Sequence, residues 1–592
     1  MNPRYIFFDI LKGIAILVVI LYHMGILPLG YLGVDVFLVI SGYFTTATIL
    51  KTYPTGTFNY FSFIKSRIIR LLPLVLIATI VSTIIGYFVM IPGDFKLFCE
   101  MAVGCSVLSG NIIQYITSRD YWDAINDFKP LMHLWYVGLI FQFYLLYPLI
   151  FICSAKCKNK ENVIKKVLWT IFFISICFYV IPFWSEAVDT AVKFYLLPAR
   201  LFEFIAGGLI MVQFNGKSRN QKNSNQPYAL MAIGVLTLLI VINLPIDPSK
   251  FRLITVIALT VILIILKRDD SDLLENQKFS ILAKLGAASY SLYITHQVVI
   301  AFYRYIINYN FSLIESILLF VAIIAIGLTT YQTLEKGLLE KAKTHGGYKT
   351  IMITSVATII IISSTCGYIY YKHGVVRDVP EFDISISDNH NWELQEYNAR
   401  ITKLYDKSFQ NDNRKKIFVF GDSYGRDWVN IMLEAGIDTS KYDLSYHEAL
   451  EDSVSYARSH QADIIFAATN LKMEKYYQLL PLFMNKKFWR VGHKRFSYCM
   501  GPVYNHVFKN DDYFEQRIIE PNETKVINAE ESKLYQPHYI DMMGHLRDKN
   551  GKIKVFTPDK KFISNDGMHL TQAGAKYFAT LIDVKEILAQ SK

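Results

Sequence analysis

The chain has 592 residues, of which 52% are hydrophobic and only 19% charged, with a mean hydropathy of +0.27. That balance excludes a disordered chain and argues against a purely soluble one. The net charge of +11 at first suggests an anionic partner, but the last 220 residues hold 30 basic and 31 acidic residues, so the whole excess lies in the first 372. Its cause is sought in a lipid bilayer, and no nucleic-acid partner is expected.

A bilayer core takes about 20 mostly apolar residues per helix. Eleven stretches qualify: 7–27, 32–50, 71–92, 134–153, 164–184, 194–214, 229–244, 252–266, 285–307, 311–331 and 350–371. A further stretch, 97–117, contains Glu100 and Asn111 and reads as a re-entrant or packed segment. The first stretch lacks a small-residue cleavage site and is expected to be a retained span, not a signal peptide. Loops 51–70, 154–166 and 215–228 are rich in Lys and Arg, whereas 185–193 is not. The positive-inside rule then puts the N-terminus in the cytoplasm and everything after about residue 373 on the outer face.

The expected fold is a multi-span α-helical membrane bundle of about ten helices over 1–345, with one linking helix over 346–372. An extracytoplasmic linker follows over 373–414, then an α/β domain with a parallel sheet over 415–592. In that domain KIFVFGD, ADIIFAATN and FWRVGHKRF read as buried strands, and LTQAGAKYFATLIDVKEIL as an amphipathic helix. The seven cysteines show neither metal spacing nor a CxxC pair, so neither a metal site nor a disulfide framework is expected.

Ionisable groups inside apolar spans are costly and are functional suspects. The first span carries Asp9, Lys12 and His23. Lys12 and His23 are eleven apart, about three turns, so they share one helix face roughly 16 Å apart along the axis. Either alone also fits a snorkelling lysine or a satisfied buried histidine; together they look like a polar track. Arg67 and Arg70 lie one turn apart at a helix start, a geometry suited to phosphates and also to simple positive-inside anchoring. Asp35 opens the second helix, and further polar groups are Arg200, Glu203, Ser289, Tyr290, Ser291, Tyr293, His296, Tyr331 and Glu335.

The ordered set Lys12-x10-His23, GVDVFLVISGYF, Arg67-x-x-Arg70-Leu-x-Pro73, HLWYVGLIFQFYLLYP, SYSLYITH and YQTLEK resembles the acyltransferase-3 family of integral membrane acyltransferases over residues 5–345. The resemblance implies transfer of an acyl group, usually acetyl, from a cytoplasmic thioester to an extracytoplasmic polysaccharide. The family's basic-x10-His pair falls on Lys12 and His23, with Lys in place of the commoner Arg, and its RxxR motif falls on Arg67 and Arg70. One departure stands out. Many members read W-S-L-x-x-E-E-Q-F-Y, whereas here Ile140 and Phe141 occupy the acidic positions; Gln142, Phe143 and Tyr144 fit. With the rest of the set intact, a subgroup difference is expected rather than a dead enzyme.

In the last domain, FVFGDSYGRDW puts Ser423 just after a buried strand, where its hydroxyl is exposed and backbone N–H groups can face an oxyanion. NDGMHLTQAGA supplies Asp566 and His569 before the last helix; His569 can take the serine proton while Asp566 orients the ring. Each half alone is a weak signal, and both in one domain are a strong one. These blocks resemble the SGNH hydrolase family over about 415–592, whose nucleophile maps to Ser423 and whose Asp and His map to Asp566 and His569. Ser423 and Asn470 are then the oxyanion candidates, although the pattern that usually flanks the Asn is absent. A fusion of these two parts resembles bacterial O-acetyltransferases of envelope glycans.

The resemblance implies a multi-pass protein of a bacterial inner (cytoplasmic) membrane, with the C-terminal domain on the periplasmic or extracellular side. Acetyl-CoA is the expected donor substrate, with no bound cofactor, and its binding group is expected to comprise Lys12, Arg67, Arg70 and Asp35. The acceptor is an envelope polysaccharide (lipopolysaccharide O-antigen, peptidoglycan or exopolysaccharide). Acetyl would pass by His23, as base or transient carrier, to Ser423. Two alternatives stay open: an outer domain that is a glycan acetyl esterase, and a transporter of a lipid-linked sugar.

Overall fold

The computed structural model describes residues 6–117, 124–183, 186–214, 249–266, 277–387, 393–448, 452–470, 487–505 and 512–590. The chain divides into two compact units. The helical unit comprises Met1–Met90 and Phe95–Tyr370, and the sheet unit comprises Ile91–Asp94 and Tyr371–Lys592.

The helical unit opens with α1 (Ile6–His23), α2 (Gly33–Thr52) and α3 (Tyr60–Val89). Among the described residues, eight helices are long and apolar enough to cross a membrane. Of the eleven expected spans, 229–244 lies outside the described residues. The span at 252–266 sits in a helix, Ser249–Leu266, whose apolar part is shorter, Arg252–Leu266. The one at 285–307 forms the helix Ser289–Ile306, but His296, Gln297 and Arg304 lower its hydropathy, and all three are buried among protein. The 97–117 stretch forms two helices, Pro92–Ser106 and Gly110–Thr117, joined at Leu108 with φ 56°. Asn111 of the second is fully buried and bonds the Tyr195 carbonyl at 3.0 Å, as a packed segment should.

Helix α3 begins eleven residues before the expected span because Asn59 caps it, accepting from the Ser62 N–H at 2.8 Å. Its charged first turns read as loop in the sequence, yet they place Arg67 and Arg70 on a regular helix. Helix α1 packs tightly on the helix Gln277–Ala287. A Cβ on Gly286 would lie 1.6 Å from the Asp9 carbonyl, so only glycine allows this approach.

In the sheet unit β1 (Lys415–Phe420), β2 (Tyr442–His447), β3 (Ile464–Ala467), β4 (Lys487–Val491) and β6 (Tyr539–Ile540) form one sheet in the order β2-β1-β3-β4-β6, with every neighbouring pair parallel. A separate antiparallel pair joins β5 (Arg517–Ile519) and β7 (Lys552–Lys554). Ile417, Val419, Ile464, Phe466, Trp428 and Phe578 build the core between sheet and helices. Because β2 and β3 flank β1 on opposite sides, the chain reverses direction there. The C-terminal ends of β1 and β3 therefore border a crevice of the kind in which parallel sheets place ligands.

The segment 373–414, expected as a linker, contains the helix Glu393–Tyr405. Its Tyr397 and Ile401, one turn apart on an otherwise polar helix, enter the sheet unit's core, so the segment belongs to the domain. The expected C-terminal helix is two, Gln572–Leu581 and Val584–Gln590, the first capped by Thr571, which accepts from Gly574 N at 2.9 Å.

Candidate functional site

Three of the predicted donor-binding residues meet in the helical unit. Lys12, Arg67 and Arg70 line one cavity of about 380 Å³, together with Asp9, Tyr144 and Tyr290. Lys12 Nζ bonds Asp9 Oδ1 at 2.8 Å. The Arg67 guanidinium lies 4.7 Å from the ring centre of Phe63 and 5.0 Å from that of Tyr144, which fixes its plane. Ile140 also lines this wall. An apolar side chain thus lines the cavity there, and the buried Glu335, held by Ser291 Oγ at 2.5 Å, is a second acid, beside Asp9, whose charge acts on Lys12 and also on Arg70.

A layer of rings begins at the wall of this cavity. Tyr136 and Tyr293 line it, their ring centres 5.1 Å apart. Tyr293 lies 5.3 Å from His133 and 5.4 Å from His296, and His296 lies 5.2 Å from His23. His23 in turn lines a second cavity of about 510 Å³ with Tyr22, Asp127, Met132, Arg304 and Phe311. The His296 tautomer follows from its partners. Nδ1 faces the carbonyls of Tyr293 at 2.7 Å and Leu292 at 3.2 Å, which only accept, so the proton sits on Nδ1. His296 Nε2 keeps its lone pair and has no partner among the described residues. Arg304 is buried, lies 3.3 Å from Asp127, and its Nε has no hydrogen-bond partner among the described residues.

Asp35 does not join the donor group. It accepts from Arg200 Nη1 at 2.8 Å, and the same nitrogen bonds Glu203 at 3.0 Å. All three side chains are at most 5% exposed. The physical reason is plain: a buried carboxylate needs a cation, and Arg200 supplies it. Arg200→Met is expected to destabilise the helical unit by roughly 3 kcal/mol, because it strands two acids away from water. Denaturant unfolding of the purified protein in detergent would measure this; unchanged stability would count against the triad's structural role.

The sheet unit brings the other predicted residues together around the crevice. Gly421 ends β1 with φ 143°, and a Cβ there would lie 1.8 Å from the Ala468 carbonyl. That close pass sets Asp422 and Ser423 against the end of β3. Asp422 caps the helix Ser423–Glu434, accepting from Tyr424 N at 2.9 Å through Oδ1. Its Oδ2 accepts from Thr469 Oγ1 at 3.2 Å and Asn470 N at 3.0 Å. Asp422 thereby braces the two oxyanion candidates, Ser423 and Asn470, side by side. The Ser423 N–H points from a helix N-terminus and has no partner among the described residues, as an oxyanion donor requires.

His569 Nδ1 lies 2.5 Å from Asp566 Oδ2, and Asp566 Oδ1 accepts from the N–H groups of His569 at 2.8 Å and Met568 at 2.9 Å. Burial works against the charged carboxylate, but the His569 ring and these N–H groups outweigh it and hold the carboxyl down at about 2. The acid therefore stays ionised at physiological pH, fixes the proton on Nδ1, and leaves Nε2 free to accept one. The loop is tied to the nucleophile's helix: Leu570 N donates to Asp427 Oδ2 at 3.0 Å, one turn beyond Ser423.

His133 and Arg304 were not singled out in the sequence. His133 stood inside a quoted motif with nothing to mark its ring as a neighbour of His296. Arg304 carried a usable signal, as a cation in an otherwise apolar helix.

Residues 5–332, more than half of the chain, match the acyltransferase-3 family, described as an acyltransferase domain. The chain belongs to the acyltransferase-3 family. Its similar proteins include one of Staphylococcus aureus (strain COL) provisionally named an O-acetyltransferase, 28% identical over 317 residues, or 50% of each chain. Another is the O-acetyltransferase OatA of Staphylococcus aureus (strain NCTC 8325 / PS 47), 30% identical over 181 residues, covering 30% of this chain and 29% of that one. The chain thus spans half or less of the length of these relatives. No solved structure matches it.

Proposed function

We propose that this acyltransferase-3 protein is a membrane O-acetyltransferase that carries acetyl from acetyl-CoA to hydroxyls of a cell-envelope polysaccharide. The observation that carries this reading is the convergence of Lys12, Arg67 and Arg70 on one cavity, with ring contacts leading from its wall to His23, which lines a second cavity. Three cations about one cavity suit the phosphates of coenzyme A. The thioester would point toward the rings, with His23 as base or transient acyl carrier and the spare Arg304 N–H donor toward the acyl oxygen.

In the sheet unit His569 Nε2 takes the Ser423 proton as Oγ attacks the acetyl carbonyl, and the departing group leaves with that proton. The acetyl-serine is then attacked by a sugar hydroxyl, whose proton passes through His569 to the leaving Ser423 Oγ. The SGNH-like reading of this unit belongs to the same proposal, as do an inner-membrane location, a cytoplasmic N-terminus and an outward-facing sheet unit. Comparing acetyl esters on envelope glycans by NMR, with and without the protein, tests the whole; identical acetylation would defeat it.

A second reading, a glycan acetyl esterase, is favoured by the Asp566–His569 pair on the loop tied to the Ser423 helix, which equally suits hydrolysis. Release of acetate from an acetylated glycan by the full chain, without transfer, would select it. Movement of a lipid-linked sugar without acetyl-CoA would instead favour a transporter. For the donor site, Arg67→Gln and Arg70→Gln are each expected to raise KM for acetyl-CoA about tenfold while kcat changes little, since each removes a phosphate contact made equally in ground and transition states. Steady-state kinetics in proteoliposomes would measure this, and unchanged KM values in both would move the donor elsewhere.

A further inference from the structure

We propose that Lys494 and Asp427 form a buried clamp that sets His569 against Ser423, which makes Lys494 a positioning residue of the acyl-transfer site. The proposal rests on the reading of Ser423 as nucleophile and His569 as its base.

The two side chains are 2% and 0% exposed, and Lys494 Nζ lies 2.5 Å from Asp427 Oδ2. A buried ion pair of this kind seldom stabilises a fold more than an apolar pair of the same size would. Its other contacts show what it does that an apolar pair could not. Lys494 Nζ donates to the carbonyl of Met568 at 2.7 Å, and Asp427 Oδ2 accepts from the N–H of Leu570 at 3.0 Å. These are the two chain neighbours of His569, so the clamp grips the backbone on both sides of the base.

The other jaw is the nucleophile's helix. Asp427 lies one turn along it from Ser423, and Lys494 Nζ stands 4.0 Å from the ring centre of Tyr424, the residue after the serine. Lys494 itself comes from a third element, the segment after β4. That segment holds the same loop again two residues on, where Phe496 N donates to the Gly567 carbonyl at 2.8 Å. Strand β4, the Ser423 helix and the Asp566–His569 loop therefore meet at one ammonium group. An ammonium has three donors and no acceptor, which suits a carbonyl, a carboxylate and a ring face. Proton transfer between Ser423 and His569 needs a hydrogen-bond distance, and a displacement of about 1 Å costs on the order of 100-fold in rate.

The test uses the full chain in detergent with p-nitrophenyl acetate as acyl probe, taking Ser423→Ala as background. Lys494→Met is expected to lower kcat about 100-fold while KM stays within about twofold, because the acetyl site is untouched but the base is misplaced. Lys494→Arg should recover at least a tenth of the lost rate. If Lys494→Met fails to fold by circular dichroism, Lys494→Met with Asp427→Leu replaces the ion pair by an apolar one and should fold with kcat still low. Wild-type kcat in Lys494→Met, or restored kcat in the apolar double variant, would overturn the clamp. Ser423→Ala turning over the probe like wild type would instead overturn the nucleophile reading, and the clamp with it.

Discussion

Ser423→Ala is expected to cut acetylation of the glycan by about 10³-fold or more, measured as acetyl ester formed from acetyl-CoA in proteoliposomes. The magnitude follows from the arrangement. Asp422 holds the serine's N–H end beside Asn470, and Asp566 holds His569 in the tautomer that accepts a proton. With Oγ gone, the oxyanion donors and the base remain but have no covalent intermediate to serve. A sugar hydroxyl would have to attack the donor directly, without the pre-paid orientation that the acyl-serine supplies. Full acetylation in this variant would remove Ser423 from the pathway and leave transfer to the helical unit alone.

The second large effect is expected at His23. His23→Ala should reduce acetyl-CoA-dependent acetylation of Ser423 by about 10²–10⁴-fold, the usual worth of a positioned acid–base group. The same variant should still acylate Ser423 from p-nitrophenyl acetate, since that probe bypasses the helical unit. Intact-protein mass spectrometry reads both. His23→Gln, which keeps much of the volume at a 4% exposed position, separates loss of chemistry from collapse of the cavity wall. Loss of both acylations would mean that His23 acts through folding, and loss of neither would remove it from the relay.

Much of this site was legible in the sequence because its signals were local. Lys12 and His23 announce themselves as ionisable groups in an apolar run, and Asp566 and His569 sit three residues apart before a capped helix. Arg67 and Arg70 were legible as a pair, and both line one cavity with Lys12. What stayed hidden depends on contacts between distant segments. Asp35, expected in the donor group, is held by Arg200 from 165 residues away, a pairing that neither local segment announces. The ring layer joins Tyr136, Tyr293, His133, His296 and His23 from three helical segments, and no periodicity reports such a meeting. Strand β2, YDLSYH, lacks the apolar run that marked β1 and β3, because its place in the sheet comes from pairing with β1. The helix Glu393–Tyr405 showed only two core residues in a polar stretch and so read as linker.

The tautomers of the ring layer bear on a separate hazard of moving a chemical group through an apolar bundle. A file of imidazoles is a natural wire for protons, and a leak there would run down any ion gradient the bilayer maintains. Such hopping requires each ring to take a proton on one nitrogen and release one from the other. His296 has its Nδ1 proton pledged to two backbone carbonyls, and His133 has its Nε2 against the Ile294 carbonyl at 3.1 Å. Neither ring can turn over without breaking those bonds. In the proposed transfer, His296 would therefore offer its Nε2 lone pair to a neutral two-carbon group without relaying a proton through its own ring.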